Sequence, residues 1–350
     1  MANGEFSAEE RYSRQIRFPG IGEDGQHRLA AARVLVVGCG ALGTVIADTL
    51  TRAGVGMLRI VDRDFVEPSN LQRQILFDED DARQGLPKAI AAARKLSRIN
   101  SSVHAEPVVA DVTYRNVLQL VSDIDLIMDG TDNFEVRFLI NDAALETDTP
   151  WVYGGCVAAH GQVMPVVPGR TACLRCLMEH PPEPGSTDTC DTAGVIAPAV
   201  HVVAALQCVC AMKLLVGGPS AVAPELLVVD VWEGMLRKIR VEQLRQKTQC
   251  PACVGGRRDW LSGQVAASTT VLCGRNAVQV TPSRSAGVPL DELRRRLEPL
   301  GDVRGNPFLV RFRPSGSDLE LTVFPDGRAI VQGTSDPEAA RTAYARYVGH

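Results

Sequence analysis

No excess of charge marks this chain. Its 37 Lys and Arg stand against 41 Asp and Glu, a formal net charge of −4. That balance argues against a general nucleic-acid binder, which needs a basic surface. The opening stretch, MANGEFSAEERYSRQIRF, has no apolar run, so no secretory leader is expected. No membrane span is expected either. The most apolar stretch, Val195 to Gly218, contains Pro198, His201, Gln207 and Lys213 and reads as a buried helix. The expected compartment is the cytoplasm. Internal repeats and low-complexity tracts are lacking. Ten cysteines are present, yet in a reducing compartment they do not form a disulfide framework. Cys39, Cys156, Cys208, Cys210 and Cys273 have apolar or Gly-rich neighbours and are expected as small packed residues.

What is present is a chain of 350 residues, 45% hydrophobic, long enough to bury a sizeable core in one large domain or two. Strands are expected at Arg33–Val37, Met57–Val61, His104–Val109, Leu126–Met128 and Trp151–Gly154. Helices are expected at residues 23–32, 41–52, 88–100, 114–120 and 134–146. This alternation predicts an α/β fold, with a Rossmann-like, mainly parallel sheet and helices on both faces. Gly161–Val167 reads as a further strand, and ELLVVDVWEGMLRKIRV reads as a hairpin. The small residues of Ser262–Thr270 suggest a linker. The expected organisation is one domain over residues 1–265 and a small α/β domain over 268–350. In the latter, FLVRFR, LELTVF and RAIVQG read as strands, with PDG as a turn. A closing helix carries a capping-box pattern, Ser335 with Glu338.

The chemistry begins at VLVVGCGALG. Gly38, Gly40 and Gly43 form G-x-G-x-x-G between a strand and a helix, where backbone N–H groups meet a phosphate. Asp62, at the end of the second strand, is placed to bind ribose hydroxyls. These features fit NAD and ATP equally. The following loop discriminates, because Asn70, Arg73 and Gln74 are joined by Lys88 at the next helix start. A dehydrogenase leaves such cations idle, whereas a triphosphate gathers charge on its β and γ oxygens as the bond at the α phosphorus breaks. DGTDN ends the fourth strand at the edge where open sheets bind ligands. It offers Asp132 for Mg²⁺ and Asp129 as its alternative or as a turn-shaping residue.

Cys173 with Cys176, and Cys250 with Cys253, form two C-x-x-C pairs expected to hold one structural, tetrahedral zinc. Cys190 lies in a polar loop, where a thiol of lowered pKa acts as a nucleophile.

RYSRQI, GCGALG, DRDFVEPSNLQRQ, PK, DGTDNF, GSTDTC and the two C-x-x-C pairs, in this order, resemble the MoeB/ThiF adenylyltransferases, bacterial relatives of ubiquitin-activating enzymes. The match covers roughly residues 5 to 260. The resemblance implies a ubiquitin-like sulfur carrier of ThiS or MoaD type with a Gly-Gly C-terminus. Its carboxylate attacks the α phosphorus of ATP, pyrophosphate leaves, and a carrier acyl-adenylate forms. Sulfur then arrives from a donor such as a cysteine desulfurase. By position, Gly40 and Gly43 approach the phosphates, Asp62 binds ribose, and Asn70, Arg73 and Lys88 contact phosphates. Asp132 holds Mg²⁺. Arg14 matches an arginine donated across a homodimer, and Cys190 matches a cysteine that in several members forms a covalent carrier or persulfide link. The tail is not a rhodanese domain. It is similar to the extension of some thiazole-pathway members, which favours thiamine, with molybdopterin, cysteine and tRNA-thiolation carriers as the alternatives. A Rossmann-type NAD-dependent oxidoreductase and a non-catalytic carrier-binding scaffold are the competing readings. No nucleic acid or membrane partner is expected.

Overall fold

The computed structural model describes residues 7–182, 193–264, 269–272, 276–281 and 287–349. They fall into two compact units, which group residues 1–83 with 87–265, and 84–86 with 266–350.

The first unit begins with α1 (Ala8–Ile16), capped by a Ser7–Glu10 box, and α2 (Gly22–Ala31). Then β1 (Arg33–Val37), α3 (Ala41–Ala53), β2 (Met57–Asp62), α4 (Glu79–Gln84), α5 (Lys88–Ile99) and β3 (His104–Val109) follow. The chain continues through α6 (Val117–Val121), β4 (Leu126–Asp129), α7 (Phe134–Thr147), β5 (Trp151–Val157), β6 (His160–Val166) and α8 (Leu174–Leu177). It closes with α9 (Ala197–Gly217), β7 (Glu225–Asp230), β8 (Met235–Arg240) and α10 (Leu244–Lys247).

One sheet runs β3-β2-β1-β4-β5-β6-β7-β8. The first five strands are parallel, and β6, β7 and β8 extend the sheet as an antiparallel meander. The strand order reverses direction between β1 and β4, the point where open sheets leave a crevice at their carboxyl edge. Helices α2, α3, α5 and α9 pack together on one face, and α6, α7 and α8 on the other. The face under α6 and α7 is closed by Phe138, Trp151, Trp260 and Ile127.

Helix α9 is long and apolar enough to cross a membrane by length and composition. It packs instead on α3, β5 and β6, with Val200, Val203, Ala204 and Gln207 buried. The expectation of a buried helix holds for that face.

The second unit contains β9 (Thr269–Leu272), β10 (Ala277–Val280), α11 (Leu290–Leu297), β11 (Gly301–Asn306), β12 (Leu309–Pro314), β13 (Glu320–Val323), β14 (Ala329–Gln332) and α12 (Pro337–Tyr347). Its sheet runs β11-β12-β13-β14-β10-β9, antiparallel throughout. Val278, Phe312, Leu321, Val331 and Leu293 form its core with Ala340 and Tyr344 of α12. The three expected strands are there, with Gly327 at φ 86° completing the turn between β13 and β14. Two details differ. The stretch read as a linker already enters β9 at Thr269. Helix α12 is capped by Asp336, whose carboxylate accepts the Glu338 N–H, rather than by Ser335. Pro337 at the first helical position sets that boundary, because its fixed φ suits a helix start.

Candidate active site

The glycine loop closes on itself at the β1–β4 switch point. Gly38 takes φ 85°, where a Cβ would lie 2.8 Å from the Gly130 carbonyl oxygen. A side chain on Gly43 would collide with the Gly38 carbonyl, and one on Gly130 with the same oxygen. Gly38 and Gly43 are therefore glycine because the loop backbone fills the space. Gly40 differs, since a Cβ there meets only Gln74 Nε2, at 3.9 Å. Open space lies over Gly40, ahead of the N-terminus of α3, which has no side-chain cap. That is the cradle an anionic phosphate fits.

Asp62 fastens this loop. One of its oxygens accepts the Cys39 N–H at 2.6 Å and the other accepts the Asp64 N–H at 2.7 Å. Burial pushes its carboxyl up, and the Lys88 ammonium opposes that shift. Lys88 is itself only 3% exposed, with Nζ 3.5 Å from Asp64. Arg63 joins the set through Asp111 at 3.3 Å and Asp64 at 3.9 Å. Burial lowers its pKa, but Asp111, Asp64, Asp132 and Asp62 together hold it above its ordinary value.

Asn70 is buried, its Oδ1 accepting the Glu67 N–H at 3.1 Å. Half-buried Arg73 donates to the Ser69 carbonyl at 2.9 Å. Gln74 is 3% exposed and its Oε1 has no partner among the described residues. The other end of this amide, Nε2, is the atom nearest the space over Gly40.

The DGTDN turn is held from below. Asp129, wholly buried, accepts the Thr131 N–H and hydroxyl on one oxygen, at 2.9 and 2.8 Å. Its other oxygen accepts Arg137 Nε at 3.0 Å and the Gly154 N–H at 3.3 Å. Arg137 also donates to the carbonyls of Thr131 at 2.6 Å and Gly154 at 3.0 Å. Gln207 of α9 donates to the Asp129 carbonyl at 2.8 Å. Asp129 thus shapes the turn, and the turn leaves Asp132 exposed at the crevice mouth.

The four paired cysteines converge elsewhere. Cys173–Cys176, Cys173–Cys250 and Cys176–Cys253 bring their Sγ atoms to 3.9, 3.6 and 3.4 Å. All four ligand atoms lie within 4.8 Å of one another. A tetrahedral ion with Zn–S bonds of about 2.3 Å spaces its sulfurs by about 3.8 Å, so the quartet fits zinc. Hydrogen bonds from Cys173, then Cys176, pull the Cys253 thiol down to about 7, and bonds from the same sulfurs pull Cys250 lower still. Both loops leave the amino edge of the sheet, after β6 and after β8, a strand length of about 20 Å from the glycine loop. Four protein ligands would leave a bound zinc no open position, the donor set of a structural site.

A sequence model described as the ThiF family matches residues 12–252. The chain belongs to that family. Sulfur carrier protein ThiS adenylyltransferase of Bacillus subtilis is 44% identical over 342 residues, covering 97% of this chain and 99% of the relative. Sulfur carrier protein adenylyltransferase of Thermus thermophilus is 39% identical, covering 70% of this chain and 90% of the relative. Among solved structures, MccB of E. coli shares the fold with a TM-score of 0.59 at 23% identity, over 66% of this chain and 72% of that one.

In this ThiF-family chain, Asp62 holds the glycine loop next to Gly40, and Lys88 and, through Arg63, Asp132 are close enough to act on its charge cluster. Arg63 and Arg137 belong to the same network and were not singled out from the sequence. Arg63 stands in the DRD run beside Asp62, which was a usable signal. Arg137 looks like an ordinary helix charge until its burial is seen. Arg14 is exposed on α1, and Cys190 lies outside the described residues. Cys39, Cys208 and Cys210 are buried, as expected, and burial pushes their thiols up, to about 12 at Cys208. Cys156 is half-buried, and Cys273 lies outside the described residues.

Proposed function

We propose that this chain adenylates the C-terminal Gly-Gly carboxylate of a ubiquitin-like sulfur carrier. A carboxylate oxygen bonds to the α phosphorus of ATP, the α–β bridging bond breaks, and pyrophosphate leaves with the electron pair. The observation that carries this reading is the open cradle over Gly40 beside the Asp62–Arg63–Lys88 charge cluster, in a chain related along its whole length to a ThiS adenylyltransferase.

In this reading the Gly38–Gly43 loop receives phosphate oxygens and Asp62 orients the ribose. Asn70, Arg73, Gln74 and Lys88 line the β and γ phosphates. Asp132 holds Mg²⁺, which when bound shields the departing pyrophosphate. Arg14 serves the partner's site in a homodimer. Its exposure on α1 supports that role, as do Val202 and Val209, 39% and 48% exposed on α9, for a second copy to cover. Cys190 carries the covalent step of sulfur transfer, with a cysteine desulfurase or similar protein as donor. The adenylating domain spans 1–265 and the tail domain 268–350. The tail favours the thiamine pathway, because the Bacillus subtilis ThiS enzyme aligns over 97% of the chain and the Thermus protein over 70%. The cytoplasm suits such an enzyme.

ATP–pyrophosphate exchange tests the reading. Exchange should require Mg²⁺ and a carrier ending in Gly-Gly, and a carrier lacking its last glycine should give none.

A further inference from the structure

Helix α7 touches both special regions of the first unit. It leaves the carboxyl edge at Asn133, whose side chain caps it by accepting the N–H groups of Glu135 and Val136. Its 14 residues reach about 21 Å back toward the amino edge. Near its start, Arg137 ties it to Asp129 and to the Thr131 carbonyl.

Midway, two adjacent residues reach the Cys173–Cys176 loop and the strap that follows Cys253. Asn141 Oδ1 accepts the Leu174 N–H at 2.9 Å, inside the Cys173–Cys176 loop. Asp142 Oδ2 accepts the N–H groups of Trp260 at 3.0 Å and Leu261 at 3.4 Å. Residues 257–261 form the strap that follows Cys253. In that strap Arg258 donates to the Ala252 carbonyl, between Cys250 and Cys253, and to the Leu145 carbonyl on α7. Asp259 pairs with Arg175, between Cys173 and Cys176, at 3.0 Å. The Trp260 ring lies 4.4 Å from Phe138 of α7. Asn141 and Asp142 are both fully buried. Burying an amide and a carboxylate is costly unless they hold something, and what they hold is the backbone of the Cys173–Cys176 loop and of the strap that follows Cys253.

We propose that Asn141, through the Cys173–Cys176 loop, and Asp142, through the strap that Arg258 and Asp259 tie to both cysteine loops, are positioning residues that couple the loops to α7, so that zinc occupancy governs the order of the Asp129–Asp132 turn at the helix's other end. Zinc fastens the two loops to each other. Asn141 and, through the strap, Asp142 fasten the loops to the helix, and Arg137 fastens the helix to the turn. Losing the ion frees the loops, removes two sets of hydrogen bonds from the middle of α7, and loosens its first turn. The functional weight of Asp132 rests on the adenylation reading. The structural coupling does not.

The test uses full-length, zinc-loaded protein, with zinc release to a chromophoric chelator and amide hydrogen exchange as readouts. Asn141→Ala and Asp142→Ala should each release zinc about tenfold faster or more, the range expected for outer-shell partners of a metal site. Asp142→Asn keeps an acceptor oxygen for the two N–H groups and should stay within about threefold of the parent. Stripping zinc from the parent should speed amide exchange at residues 129–137 while leaving β1 and β2 protected. Parental release rates in both alanine variants would overturn the proposal. So would unchanged exchange at 129–137, or loss of protection across β1 and β2 as well, which marks global unfolding. If an alanine variant fails to fold, the exchange comparison on the parent decides. Neither readout involves ATP or a carrier, so a failure of the adenylation reading would leave both standing.

Discussion

Replacing Arg137 with methionine should do more damage than any exposed arginine. The side chain keeps much of its length but loses its charge and its donors. Asp129 then stays buried with only the Thr131 and Gly154 groups to bind it, and the Thr131 and Gly154 carbonyls each lose a donor. In the native protein burial works against the guanidinium charge, yet Asp129, Tyr153 and Asp132 together outweigh it and the pKa is raised. Removing one partner of such a buried pair costs about 3–5 kcal/mol. The double variant Arg137→Met/Asp129→Leu removes the stranded charge. It should recover part of the loss, with a coupling energy of about 2 kcal/mol. Tryptophan fluorescence during urea unfolding reports on the first unit alone, because Trp151, Trp232 and Trp260 all lie in it. Pyrophosphate exchange should fall about tenfold or more as the turn bearing Asp132 loosens. A single-variant loss below about 1 kcal/mol, the level of an exposed ion pair, would refute the reasoning. So would a double variant as unstable as the sum of the two single ones.

Asp132→Ala should abolish exchange, while Cys190→Ala should leave it near normal. Loss of exchange in the cysteine variant would mean that adenylation and sulfur transfer are not separate. Gly40→Ala should fold normally and lose ATP affinity, because its methyl group enters the open cradle, whereas Gly43→Ala should lose stability through its clash with Gly38. Equal stabilities, measured by thermal unfolding, would contradict that division. Burial raises the Asp142 carboxyl to about 6, against the pull of the Trp260 and Leu261 N–H groups. The folded chain therefore binds this proton more tightly than the unfolded chain. Stability rises as pH falls from about 6 toward 4, and the penalty is full above 6. Asp142→Asn should flatten this slope, worth about 2 kcal/mol, in thermal midpoints taken from pH 4 to 7. An unchanged slope would assign the proton to another group.

The parallel half of the large sheet was plain in the sequence. Strand β1 falls on its expected limits, because a buried parallel strand needs an unbroken apolar run and the glycine at 38 ends it, and the edge strand β3 also falls on its expected limits although His104, Glu106 and Pro107 interrupt its apolar pattern. The cysteine quartet was legible from spacing alone. Other features depend on partners far along the chain. β11, GDVRGN, has two glycines and no apolar alternation, and it is a strand because β12 pairs with it. Lys88 and Arg137 carry no local sign that they are buried, since each is paid for by an acid on another element, Asp64 or Asp129. Gly40 and Gly43 look alike in the motif. Only the packing separates the glycine that leaves room for a ligand from the one that lets the loop close.

The central claim is that this crevice activates a carboxylate with ATP. The direct measurement is the exchange of labelled pyrophosphate into ATP by the purified chain, with Mg²⁺ and each small Gly-Gly-ending carrier encoded in the same genome. The account predicts rapid exchange with at least one carrier and none without it. No exchange with any of them, together with tight binding of NAD in a parallel titration, would contradict it.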